Sequence, residues 1–273
     1  MKKLLLSLAF FSLTGVGFAQ QVKKMASSLV LEERKKGNLK AADSVAQNYI
    51  DNHLLKLSKG ELMTKDNLLF ISENLNHTGS KGFEFLYKNR ANVNAVLGPD
   101  KAEYLIRDVI AREYVPKIEE WNSKDIDWDL LGENITSRFG NLGQEMVYGK
   151  RMNYYLIKQD FKSFGKYYML YFKTAIKRPE YMINDLTYSL FLKVDDPAVL
   201  RFACDNVMKY ALEEWYQNDP NAYDTYACLL YKIGRRTEAI KWEERALIGA
   251  KGRADEKSFA DVLEKMKKEE KIW

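Results

Sequence analysis

Apolar residues in this chain recur at three- and four-residue steps almost from end to end, and no long alternating run competes with them. That step matches the turn of an α-helix, whereas a half-buried strand needs a period of two. The pattern is cut by Gly37-Asn38, Gly60, Gly79-Ser80, Gly98-Pro99, Gly140-Asn141 and Asp219-Pro220, and all five prolines sit at such boundaries. Glycine just past one helix, then proline or a small polar residue opening the next, marks a succession of helices. The spacing predicts helices near 22–36, 39–58, 64–76, 80–97, 100–114, 123–138, 142–159, 160–177, 180–193, 197–216, 221–233, 236–249 and 255–270. Short connections force antiparallel neighbours. A series of hairpins that does not close on itself gives an all-α fold, a right-handed α-solenoid or superhelix.

Two segments show the local logic. Thr64 precedes a helix with the apolar face Leu68, Leu69, Ile71 and Leu75, and its hydroxyl is expected to cap the first turn. Ala41, Val45, Tyr49 and His53 form one stripe, with Ala42, Ala46 and Ile50 beside it; the small alanines let another helix come close. Between Tyr154 and Phe191 the sequence is crowded with aromatics, including Phe164, Tyr168, Tyr171 and Phe172. Their helical spacing points to rings filling a core, with an aromatic groove for a glycan or peptide as the alternative.

The N-terminus carries an address. Lys2 and Lys3 precede an apolar run, Leu4 to Ala19, that ends in Gly17-Phe18-Ala19 before Gln20. Positive start, short apolar stretch and small residues before a cut are the marks of a signal peptide. The run is shorter than the ~20 residues that span a bilayer. Residues 1–19 are therefore expected to be a leader cleaved near Ala19/Gln20, making the mature chain periplasmic or secreted, with no membrane span. Loss of Lys2 and Lys3 lowers the formal charge from +5 to about +3, a mixed surface with no clustered basic footprint for nucleic acid.

Chemistry-bearing motifs are scarce. His53 and His77 are the two histidines, and neither has a partner at ligand spacing. His-Glu-x-x-His, Gly-x-Ser-x-Gly and a phosphate-binding glycine loop are absent from the sequence. Asp125, Asp127 and Asp129 alternate like a fragment of a calcium loop but lack its glycine and final glutamate in register; they read as charge at a helix start. Asp43-Ser44-Val45 resembles a bacterial O-glycosylation acceptor, with an ordinary surface serine as the alternative. Cys204 and Cys228 fall on successive helices, offset by about 9 Å along the axes. A disulfide needs Cα atoms within roughly 7 Å, so two buried free thiols are expected. The sequence is expected to carry no catalytic residue, cofactor or metal.

One stretch has a specific pattern. Ala222 to Leu247 places Tyr223, Tyr226, Ala227 and Leu230 on a first helix, Gly234 at the turn, and Ala239 and Ala246 on a second. Small residues at 227 and 239 suit a close crossing, and glycine at 234 suits a left-handed helix end. The stretch resembles a tetratricopeptide repeat (TPR). Glu243 departs from it, standing where a large aromatic is usual, with Trp242 one place earlier; Lys251 stands where a proline is usual. The resemblance implies that Asn221, Asp224, Cys228 and Tyr231 line a partner-binding face. It divides the chain into the leader 1–19, an irregular helical-repeat region 20–195 and a TPR-like region 196–273.

Two patches carry a broader likeness. One runs from Leu62 to Arg90, with Asn67-Leu68-Leu69-Phe70-Ile71 and Phe83-Glu84-Phe85-Leu86-Tyr87-Lys88-Asn89-Arg90. The other is Asp224-Thr225-Tyr226-Ala227 with Leu229-Leu230-Tyr231-Lys232 and Glu238-Ala239-Ile240-Lys241-Trp242-Glu243. They resemble the helical region that follows the thioredoxin-like domain in exported bacterial thioredoxin-family proteins. The Cys-x-x-Cys motif of that domain is missing here, so redox chemistry is not implied. The expectation is an exported, non-catalytic scaffold or accessory for a protein or peptide partner, with a thioredoxin-like protein as one such partner. The alternative is an enzyme with a dispersed pocket, which converging carboxylates would signal.

Overall fold

The structure, a computed structural model, describes residues 16–273, with side chains from Gln21 onward. The leader expected over residues 1–19 falls outside the described side chains. Among the described residues the fold is all-α, without a strand, and consecutive helices pack as pairs. Two compact units divide at Glu113/Tyr114.

The first unit opens with α1 (Val16–Lys35) packed on α2 (Leu39–Asn52). Val22, Ala26 and Val30 form the buried stripe of α1 at four-residue steps, and Ala42, Ala46 and Ile50 that of α2. The helix expected over 39–58 breaks at His53 and gives way to a 3-10 turn, Leu54–Lys56, and to α3 (Lys59–Leu62). Ser58 explains the restart: its hydroxyl accepts from the Glu61 N–H while Glu61 reaches back to the Ser58 N–H, a reciprocal cap worth about 1 kcal/mol. Next come α4 (Lys65–Glu73), α5 (Lys81–Lys88), α6 (Arg90–Leu97) and α7 (Lys101–Tyr114). Thr64 does stand at the start of α4, but its side chain makes no capping bond. The single helix expected over 80–97 is two helices meeting at Asn89, whose side chain bonds back to the Phe85 carbonyl, a local bond that competes with helix continuation.

In the second unit, α8 (Trp128–Ile157) packs against α9 (Phe161–Ala175). The two helices expected over 123–138 and 142–159 are the two arms of α8, which meet at a kink at Gly140 with φ 58° and ψ −145°, backbone angles essentially reserved for glycine. Asp127 caps α8 through the Leu130 N–H and Asp129 sits in its first turn, as expected of charge at a helix start. Then follow α10 (Ile183–Lys193), α11 (Pro197–Phe202), a π-helical segment (Ala203–Met208) and α12 (Lys209–Glu214), the last three continuous. The π segment widens the buried stripe, so that Ala203, Cys204, Val207 and Met208 are all covered. The chain finishes with α13 (Pro220–Lys232), α14 (Arg236–Gly249) and α15 (Glu256–Lys267).

The aromatic-rich stretch is core. Phe164, Tyr168, Tyr171, Phe172 and Phe191 are almost fully buried in one cluster with Leu190, Val207 and Leu230. Edge-on rings such as Tyr171 and Phe172, 5.0 Å apart at 72°, fill the gaps between crossed helices. The α13–α14 pair crosses closely because Ala227, Ala239 and Ala246 have no exposed surface, and Gly234 turns the chain at φ 86°.

Candidate functional site

Asn221, Asp224, Cys228 and Tyr231 fall three or four residues apart along α13, a helix that packs on both α10 and α14. Asn221 is exposed, and its carbonyl oxygen accepts from Arg253 at 3.4 Å. Asp224 is partly buried, and Cys228 and Tyr231 are buried. The end of the stripe that meets solvent is therefore the Asn221–Asp224 end. Tyr188 of α10, 40 % exposed, stands beside it. Its hydroxyl pKa is raised, first by burial and then by the charges of Asp224, Cys228 and Glu243.

Glu243 is the residue that sequence reasoning left unassigned. It comes from α14, has no exposed surface, and lies within hydrogen-bonding reach of the Asp224 carboxyl. No N–H or hydroxyl donor reaches either of its carboxyl oxygens. Two carboxyls close together and shielded from water oppose each other's ionisation, and burial raises the proton affinity of both. The Cys228 thiol also donates to Asp224 Oδ1, at 3.6 Å. The ring of Trp242, one place earlier, meets Tyr223 at 5.3 Å and Tyr226 at 5.2 Å.

The other end of the stripe is occupied by the chain itself. Residues 268–273 run on from α15 in non-helical conformation, and the Tyr231 hydroxyl donates to the Glu270 main-chain carbonyl at 3.0 Å. Lys232, its side chain almost wholly buried, donates to the Phe191 carbonyl at 2.7 Å and pairs with Asp195 at 2.9 Å.

A separate groove of about 900 Å³ runs along α1 and α2. Ala41, Val45 and Tyr49 lie in its wall, with Ser44 and His53 at its rim, so the first stripe of α2 faces this opening while the second faces the core. His53 stacks on Tyr49 at 5.5 Å, and burial lowers its pKa. Cys204 and Cys228 are free thiols. Among the described residues, no three His, Cys, Asp or Glu side chains are placed to share a metal ion, and no helix is long and apolar enough to cross a membrane. Compared with models of known protein families, with curated proteins and with solved structures, the chain matches none significantly.

Proposed function

We propose that this chain is an exported, non-catalytic helical-repeat scaffold that holds a protein partner on the face shared by α10 and α13. In this reading the hairpins continue as a right-handed α-solenoid, the α13–α14 pair is its TPR-like last repeat, and the mature chain works in the periplasm or outside the cell. The observation that carries the proposal is the hydrogen bond from Tyr231 to the Glu270 main-chain carbonyl. A side chain of the stripe is holding a non-helical stretch of polypeptide by its backbone, the kind of bond a peptide-binding face makes. An accessory role beside a thioredoxin-like protein is the narrower form of the same reading.

A photo-crosslinking amino acid placed at Tyr188 or Asn221 in cells should capture one common partner. The same group at Leu130, exposed on α8, should not capture it. Equal capture from all three positions would end the reading.

A second reading, an enzyme with a dispersed site, draws on the convergence of Asp224 with Glu243. Paired carboxyls with separated proton affinities can serve as acid and base. Glu243, however, has no surface that a substrate could touch, so the scaffold is the better-supported reading.

A further inference from the structure

The groove along α1 and α2 is a face that the described residues of the first unit leave uncovered. Its wall on α1 is Val22, Ala26, Leu29 and Glu33, four, three and four residues apart. Its wall on α2 includes Ala41, Val45 and Asn48, four and three residues apart. Steps of four and three in turn make a seam that packs knobs into holes against further helices. The seam that the hairpin turns to its own unit is a different one, with Val30 on α1 and Ala42, Ala46 and Ile50 on α2. Leu29, Ala41 and Val45 stay half-buried and Leu39 is 62 % exposed, so this second apolar seam still lacks the helices its spacing suits.

The two walls match level by level. Gly37, at φ 77°, turns the chain between α1 and α2. Counted outward from it, Glu33 and Ala41 are each four residues away, Leu29 and Val45 each eight, and Ala26 and Asn48 each eleven. Among the described residues, Glu33 and Lys40 are the acid and the base of the lining, and both stand at the turn. The far end holds Val22 and His53. Glu33 accepts from Asn38 at 3.0 Å and from Lys36 at 3.2 Å. Those bonds hold its carboxylate beside the turn, and its two oxygens have lone pairs left for a further donor.

A second hairpin laid on this face can be turned two ways. With a two-fold axis along the helices, every level meets its own copy. Leu29 and Val45 then close an apolar layer, Asn48 is the single amide that fixes register in such a seam, and each Lys40 faces the other copy's Glu33. With the axis across the helices, the charged level is laid on Val22 and His53, which leaves a carboxylate and an ammonium over apolar surface. Charge complementarity selects the first arrangement.

We propose that the groove of one molecule is filled by the same groove of a second copy, as an isologous four-helix bundle with its two-fold axis along the hairpins, set in register by Lys40 of each copy against Glu33 of the other. This pairing goes beyond the scaffold reading and involves the first unit alone.

The test is the mass in solution of the full chain as cells produce it, by sedimentation equilibrium. The unaltered protein should be a dimer at about 100 µM. Val45→Glu puts a charge into the apolar layer and should weaken association at least ~10-fold. Glu33→Lys alone and Lys40→Glu alone each set like charges face to face twice and should do the same. An equimolar mixture of those two variants should regain dimers of mixed composition, because every ammonium again meets a carboxylate. The mixture leaves the apolar layer untouched, so it decides the matter if circular dichroism shows Val45→Glu to be unfolded. An unaltered protein that stays monomeric at that concentration overturns the proposal, as does a dimer indifferent to a folded Val45→Glu. A mixture no more dimeric than its two components overturns it equally. Partner capture from Tyr188 is read separately, so the scaffold and the dimer stand or fall apart.

Discussion

Glu243 and Asp224, from two helices of one hairpin, lie near one another out of water. Both groups bind protons more tightly in the folded chain than in the unfolded one, first because burial disfavours charge. Above about pH 4, where free carboxylates have lost their protons, the folded chain therefore holds more protons than the unfolded chain. Stability falls as pH rises through that interval and levels off only when both raised values are passed. Glu243→Gln keeps a donor to Asp224 but removes the titrating acid. Its thermal midpoint should change less than the parent's between about pH 5 and about pH 9. Parallel pH profiles for the two proteins would refute the raised proton affinity of Glu243.

The thiols of Cys204 and Cys228 should be inert while the chain is folded. Burial pushes Cys204 up to about 12, and Cys228 is also raised well above the usual thiol range, by burial and then by the nearby Asp224 and Glu243 charges. The thiolate is the reactive form, so alkylation near pH 8 should proceed only through unfolding. Labelling of both cysteines should then rise together with denaturant and track global stability. Rapid labelling of either one in buffer would contradict the packing around it.

Gly140 bends α8 with a backbone that other residues avoid. Gly140→Ala should cost about 1–3 kcal/mol in chemical denaturation. Gly60→Ala makes the useful contrast: Gly60 has no positive φ and open space where a Cβ would go. That change should be neutral or stabilise by up to about 1 kcal/mol, because it restricts the unfolded chain inside a helix.

What could be read in the sequence was whatever depends on neighbours along the chain. Asp219-Pro220 and Asp196-Pro197 open helices as their chemistry requires, each aspartate capping the first turn. The alanines at 227 and 239 mark a close crossing that is there. Gly140 was legible as a break, and the chain does kink there between two helical arms. Ser58 with Glu61 is a readable capping pair, but the helix it starts is a single turn, too short to show a period. The site was harder. Residues 221, 224, 228 and 231 follow from a repeat pattern on one helix, whereas Tyr188 and Glu243 reach the same place from two other helices, a register set by packing alone. The one available signal was an acid at a position where the repeat resemblance expects a large ring. Residues 268–273 covering Tyr231 have no periodic signature at all.

Tyr168 of α9 and Thr187 of α10 share a 2.6 Å hydrogen bond at a point where neither has exposed surface. Burial drives the Tyr168 hydroxyl strongly towards its protonated form, with the Thr187 bond opposing that shift and the Cys204 charge adding to it. Tyr168→Phe should leave the threonine hydroxyl without that partner, and Thr187→Val should do the same to the tyrosine, each at about 1–3 kcal/mol. The double variant removes both polar groups together and replaces them with apolar surface of similar shape. It should cost clearly less than the two single losses added, since the penalty in each single variant is a stranded group and not the missing bond. Urea denaturation of the four proteins measures this directly. Strict additivity would mean that α9 and α10 do not meet at these hydroxyls.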